Sequence, residues 1–399
     1  MRIKNPRRLS AACLLCAGVA LTGASAAKAQ TLPDLRGRNL SITGNLTASG
    51  IITYIIFPIN ISSFLPPGGE VIPVSHPAQL TIASTGSSAN NALTGSAAIG
   101  TFDETVNGVF YPGFQNPSIP LTSGQFNRTT GAFSMSGTLN GISVIDFGVH
   151  DTASAGMGIK RALIQFTNLG LTLSGTGSLD SAGVFTIKNP GSNSFTLTAN
   201  GSTPLLSIQD PALKTFQTSG AYPISNPAFT LTNWTAQTIV SGLVALEGIP
   251  DLTKISPNAP LNPFTFGVRA PGSLTPLVSI TAPLVTAAGS AKGGYYLTGI
   301  PFGTYDIAIK GDKNLRVTQH NVVVNGSIAL PDVLLPGGDS NNDNIIDPTD
   351  FNIFVGAYNS DSSVPGTGYD PTADYNYDGI VDPTDFGIFV SNYNTAGDK

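Results

Sequence analysis

Two stretches near the C-terminus place oxygen-bearing side chains at matched intervals. The first runs Asp339, Asn341, Asp343, Asn344, Ile345, Asp347, Pro348, Thr349, Asp350, then Phe351, Phe354, Val355 and Tyr358. The second runs Asp374, Asn376, Asp378, Gly379, Ile380, Asp382, Pro383, Thr384, Asp385, then Phe386, Phe389, Val390 and Tyr393. They align without gaps, residue 374 repeating residue 339 at a spacing of 35. A calcium ion takes about six to eight hard oxygens at roughly 2.3–2.6 Å. A loop with side-chain oxygens at about positions 1, 3, 5 and 12 and a carbonyl at 7 wraps such an ion. In the first loop those ligands are Asp339, Asn341, Asp343, Asp350 and the Ile345 carbonyl. In the second they are Asp374, Asn376, Asp378, Asp385 and the Ile380 carbonyl. Asp347 and Asp382, two residues after the carbonyl, are placed to act directly or through water. The expectation is two calcium ions.

Each loop needs an anchor on its C-terminal side. Asp347 and Asp382 suit helix N-caps, and Pro348 and Pro383 suit the first helical position. Phe351, Phe354, Val355 and Tyr358 then recur at helical spacing as one apolar face, which Phe386, Phe389, Val390 and Tyr393 repeat.

On these residues the tail, about 337–395, resembles a type I dockerin, a module built from two half-EF-hand repeats with Asp closing each loop. The resemblance implies an exported protein docked onto a cohesin domain. It implies partner contacts at Pro348, Thr349, Pro383 and Thr384 and along the adjoining helices. Two departures stand out. Asn344 replaces the usual glycine of the first loop, which predicts a working but weaker site, since Asn tolerates the left-handed backbone. Proline stands where a hydroxyl is common at the partner-facing pair. The alternative to a cohesin partner is a tail that folds back onto the preceding β module of its own chain.

Charge isolates the tail. Residues 339–399 hold 11 Asp against Lys399 alone, whereas residues 30–338 hold 13 acids and 13 bases. Charged residues are 11% of the chain, with Gly 45 and Pro 29, against about 25% charged in ordinary soluble domains. That composition reads as strands and turns with hydroxyl and amide surfaces, and argues against nucleic-acid binding. Arg2, Lys4, Arg7 and Arg8, the apolar run Leu9 to Leu21, and Ala27-Lys28-Ala29 before Gln30 have the layout of a secretory signal peptide over 1–29. The run is short for a membrane span. Both cysteines, Cys13 and Cys16, lie inside it, so the mature chain is expected to be secreted or surface-attached and free of disulfides.

Residues 30–236 alternate apolar and polar at Ser41–Thr43, Gln79–Ile82, Ala132–Ser136, Phe195–Thr198 and Phe229–Thr232. Ile51 to Phe57 and Ala162 to Phe166 are denser runs. Asn140-Gly141, Asp180 to Gly183 and Asn200-Gly201 read as separating turns. The fold class expected is mainly β: a large antiparallel sandwich or barrel, then a small β-sandwich over 237–336, then the small helical calcium module over 337–399. In the middle unit, Tyr295–Leu297, a Gly/Pro turn and Tyr305-x-Ile307-x-Ile309 resemble prealbumin-like, carboxypeptidase-regulatory-like or collagen-binding B-type sandwiches, which implies a non-catalytic spacer. Val322–Val324 and Ile328–Leu335 would close it.

Chemistry elsewhere is sparse. His76, His150 and His320 are the histidines, and no nucleophile elbow, HExxH or Walker loop occurs. A glycosidase needs two carboxylates about 5–10 Å apart. Glu70, Asp103, Glu104, Asp146, Asp151 and Glu247 are the candidates, with Asp146 to Asp151 read as a solvated loop. Trp234 is the single tryptophan, and the knot of Phe110, Tyr111 and Phe114 beside Pro112 is equally core, so no sugar site is read from them. Lys310 to Arg316 reads as a solvated hairpin tip. No catalytic residue is assigned. The expected function is non-catalytic attachment in an extracellular assembly; the alternative is a dockerin-bearing enzyme or binding module acting on polysaccharide through 30–236.

Overall fold

Alternating sequence closes here into a barrel. The computed structural model describes residues 31–399 except 55–56, 61–69, 73–77, 85–89, 99–103, 107–108, 112–116, 152–158, 190–194, 200–205, 211–214, 218–223 and 287–288. The signal-peptide segment, His76, Asp103, Phe114 and Asn200-Gly201 fall outside the described residues. Strands Arg38–Tyr54, Ala78–Ser84, Asn90–Ala98, Ser123–Asn127, Ala132–Asp151, Ile159–Leu179, Phe185–Lys188 and Ile224–Gln237 pair antiparallel, each with its neighbour in that order. The last returns to the first through Ser41↔Gln237 to Ile52↔Ile224. Of sandwich and barrel, the chain forms an eight-stranded closed barrel, which removes exposed edges.

The period of two explains its filling. Leu40 and Ile42, Leu80 and Ile82, Phe133 and Met135, Leu169, Leu171 and Leu173, Phe185 and Ile187, and Trp234 and Ala236 are all buried. Trp234 is fully buried and meets Phe133 edge-on at 6.4 Å. It is a core residue, not a sugar platform.

Three sequence readings change here. The run Ile51 to Phe57 is not one strand: Tyr54 pairs with Phe57, so the chain turns back on itself. Asn140-Gly141 is not a separating turn, because strand Ala132–Asp151 runs through it with a register shift at Leu139/Ile142 and Gly141 at φ 91°. A bulge absorbs the extra residues. Asp146 to Asp151 likewise belongs to that strand, with a second shift at Asp146/Val149 and His150 opposite Lys160, rather than to a loop.

After Gln237 the chain builds two facing sheets. One places Lys292–Leu297 beside Val240–Leu246, with Val285–Thr286 on one flank and Ile328–Ala329 and Val333–Leu335 on the other. The second runs Pro276–Ala282, Phe264–Arg269, Gly303–Lys310, Val317–Val324. Val240, Val244, Tyr295 and Leu297 from one sheet share a core with Phe264, Phe266, Val268, Ile307 and Ile309 from the other. The Tyr-x-Ile-x-Ile strand thus supplies three inward residues, Tyr305, Ile307 and Ile309. Tyr377 of the tail enters the same core. Leu32–Lys399 makes one compact unit. Among the described residues no helix is long and apolar enough to cross a membrane.

Candidate metal centre

The tail folds as two copies of one loop and one helix. Helix α1 spans Pro348–Ala357 and α2 spans Pro383–Asn392. Asp347 and Asp382 cap them, at the same φ −137° and ψ −173°, accepting from the Thr349 and Thr384 amides at 2.6 Å. Asp350 and Asp385 accept in return from the amides of Asp347 and Asp382, at 2.9 and 3.0 Å. These reciprocal caps satisfy amides that helix starts leave orphaned. The same two carboxylates reach back across their loops. Asp350 Oδ1 accepts from the Asn341 amide at 3.1 Å, and Asp385 Oδ1 from those of Tyr375 and Asn376 at 2.7 and 3.1 Å. So the closing Asp of each repeat both starts a helix and cinches a loop.

Inside the loops, backbone amides aim at acidic oxygens. Asp339 accepts from the amides of Asp343 and Asn344, Asn341 from Asp343, and Asp343 from Ile345. In the second loop Asp374 accepts from Gly379, Asn376 from Asp378, and Asp378 from Ile380. Gly379 sits at φ 92° and Asn344 at φ 73°, so asparagine does adopt the left-handed turn expected of it. Its amide side chain is also occupied: it accepts from the Arg316 amide at 2.7 Å and donates to the Asp398 carbonyl at 3.0 Å. Each helix exit pairs with the other repeat's loop, Ile345–Ile346 with Thr395–Ala396 and Ile380–Val381 with Ser360–Asp361.

The donor types of each loop suit a hard cation. Asp339, Asp350, Asp374 and Asp385 are all fully buried. Burial, together with neighbouring Asp charge, raises the carboxyls of Asp350 and Asp374, and pushes Asp385 up to about 6. Asp374 Oδ1 is buried with no hydrogen-bond partner. Clustered buried carboxylates are costly, and a cation at the loop centre would offset that cost beyond what Lys310 and Lys313 supply. Among the described residues no three His, Cys, Asp or Glu side chains converge as a metal cluster. The three Asp side chains that each loop would contribute are thus not gathered round one point in this structure.

The apolar helix face is split. Phe354 and Phe389 are buried and lie 6.3 Å apart with parallel rings. Phe351, Val355 and Tyr358, and their counterparts Phe386, Val390 and Tyr393, stay 38–54% exposed. Thr349, Pro348, Thr384 and Pro383 are exposed beside them.

Lys310 to Arg316 is no solvated tip. Lys310 Nζ donates to Asp339 at 2.8 Å and to Asn342 Oδ1 at 2.6 Å. Lys313, 3% exposed, donates to the carbonyls of Pro371 and Asp374 and lies 3.5 Å over the Tyr377 ring. Tyr377 in turn donates to Asp312 at 2.9 Å. The acidic tail draws these cations out of water and docks onto the sandwich. Sequence reasoning missed both lysines as partners of the loops. The island of bases just before the Asp-rich run was the signal that could have found them.

Other candidates disperse. Glu247, in the turn after its strand, accepts from the Gly337 amide and the Asn392 side chain. It is a link between sandwich and tail. Glu70, Asp146 and Asp151 lie on strands of the barrel's sheet, and Glu104, Phe110 and Tyr111 on a separate two-stranded sheet. His320 pairs with Asp306 at 3.1 Å on the sandwich surface.

No family model matches the chain. No curated protein matches it either. Among solved structures it is similar to an N-terminal interface mutant of a type II cohesin–X-dockerin complex from Acetivibrio cellulolyticus, at 20% identity and TM-score 0.32, over 40% of this chain and 97% of that one. A C-terminal interface mutant of the same complex gives 19% identity and TM-score 0.30, with the same coverage. Overlaps this loose carry no functional weight.

Proposed function

We propose that the chain is an exported, non-catalytic protein held in an extracellular or cell-surface assembly by its C-terminal module, which two calcium ions keep in binding shape. The partner in this reading is a cohesin-type β domain. The observation that carries it is the duplicated exposed face of Phe351, Val355, Tyr358 and Phe386, Val390, Tyr393. Large apolar side chains in solvent on a folded surface mark interaction sites. Here they are repeated by a gap-free duplication and flanked by exposed Thr349 and Thr384. Calcium binding at the neighbouring loops fixes the helix starts through Asp350 and Asp385, and so holds the two faces in register.

The tail's contact with its own sandwich does not compete with docking. That contact uses Lys310, Lys313, Tyr377 and Ile388, whereas the duplicated apolar residues remain open to solvent. The test is surface plasmon resonance of the full chain over immobilised cohesin domains, in calcium and in chelator. Calcium-dependent binding, weakened at least about tenfold by Phe351→Ser with Phe386→Ser, is expected, since interface anchors cost about 1–2 kcal/mol or more. Absence of binding to every cohesin in calcium overturns the docking reading.

A further inference from the structure

We propose that Lys310 sets the calcium affinity of the first loop below that of the second, so that the two loops fill in order, second before first. This rests on the calcium reading above. The two repeats are near copies in sequence, yet the sandwich treats their leading carboxylates differently.

In the first loop both oxygens of Asp339 are engaged. Oδ1 accepts from the Asp343 amide at 3.0 Å, and Oδ2 accepts from the Asn344 amide at 2.9 Å and from Lys310 Nζ at 2.8 Å. The Lys310 side chain is 12% exposed and that of Asp339 is fully buried. Its ammonium is fixed from four sides, by Asp339, Asn342 Oδ1, and the carbonyls of Gly311 and Asn314. In the second loop Asp374 Oδ2 accepts from the Gly379 amide at 2.9 Å and the Tyr369 hydroxyl at 2.8 Å. Its Oδ1 is buried and has no partner. Lys313 also places a positive charge beside Asp374, but its ammonium donates to two carbonyls and lies over the Tyr377 ring and does not bond the carboxylate as Lys310 bonds Asp339.

The difference that matters is the direct bond to an ammonium, which only the first loop's leading carboxylate has. A dication entering the first loop shares Asp339 with a positive charge already in place. Repulsion at such range is screened weakly in a buried setting. The ammonium also supplies beforehand part of the countercharge that the metal would bring. A dication entering the second loop meets an oxygen whose lack of a partner is itself costly, and relieves it. The inequality is thus assigned to Lys310 rather than to Asn344, whose turn is formed and whose side chain is bonded at both ends. Between fillings, Lys310 keeps the first repeat joined to the sandwich.

Calorimetric titration of the chelator-stripped full chain with calcium, paired with native mass spectrometry to count ions, reads this out. Two steps at least about tenfold apart are expected. Asp385→Ala should remove the tighter step and Asp350→Ala the weaker. Lys310→Gln, which keeps donors but not charge, should tighten the weaker step by about tenfold. Equal affinities, loss of the tighter step in Asp350→Ala, or a weaker step unchanged or weakened by Lys310→Gln overturns the proposal. The alanine variants decide the order even where Lys310→Gln fails to fold. Failure of the wild-type chain to take up any calcium would instead sink the calcium reading itself.

Discussion

At the residue scale, the spacing of the loop oxygens and the helix caps that follow them were legible because they are written in consecutive residues. Alternate Asp and Asn oxygens in a tight loop need no tertiary knowledge to be recognised. The left-handed Asn344 was legible for the same reason. Lys310 and Lys313 were not, because their partners, the Asp339 carboxylate and the Asp374 carbonyl, lie 29 and 61 residues on, and only packing decides which base meets which group. Asp306 shows a similar contact at a distance. Its carboxyl is held down at about 2 by the amides of Gly272 and Asn321 and by His320. Its folded value is below the unfolded one of about 3.9, so the unfolded state binds more protons between the two. The stability it gives is therefore present above about pH 4 and lost as pH falls through about 2. Asp306→Ala should lower the melting temperature at pH 7, and the gap from wild type should close by pH 2. A gap of the same size at both pH values would refute this role.

At the element scale, helical and strand periods located nearly every segment, but not which half of a face is covered. Phe351, Phe354, Val355 and Tyr358 share one helical face, and the fold buries only Phe354 among them. Phe354→Ala should cost about 3 kcal/mol or more in chemical denaturation with calcium present, whereas Phe351→Ser, at a ring 38% exposed that stacks on Phe389, should cost less. Comparable losses would mean that the exposed residues serve stability rather than a partner. Where strands were misplaced, at Ile51 to Phe57 and Asn140-Gly141, the reason is register. A hairpin inside an apolar run and a bulge inside a strand both leave the local composition of a strand or a turn unchanged.

At the scale of the whole molecule, closure of the barrel depends on Arg38–Tyr54 meeting Ile224–Gln237. Alternation could not choose between barrel and sandwich, because both have one apolar face per strand. Nor could it show the tail lodged on the sandwich through Tyr377, Lys313 and Glu247. The tail and the sandwich are thus expected to gain stability together. Docking and the ordered filling of the loops both depend on calcium entering a folded chain. The decisive experiment is thermal unfolding of the full chain followed by circular dichroism, with ions counted by native mass spectrometry. Two bound calcium ions and a melting transition of the tail raised by several degrees over the chelated protein are predicted, since a ligand at about 100 times its dissociation constant adds about 2.7 kcal/mol per site. No bound calcium, with identical melting in calcium and in chelator, would rule the ion out of both loops.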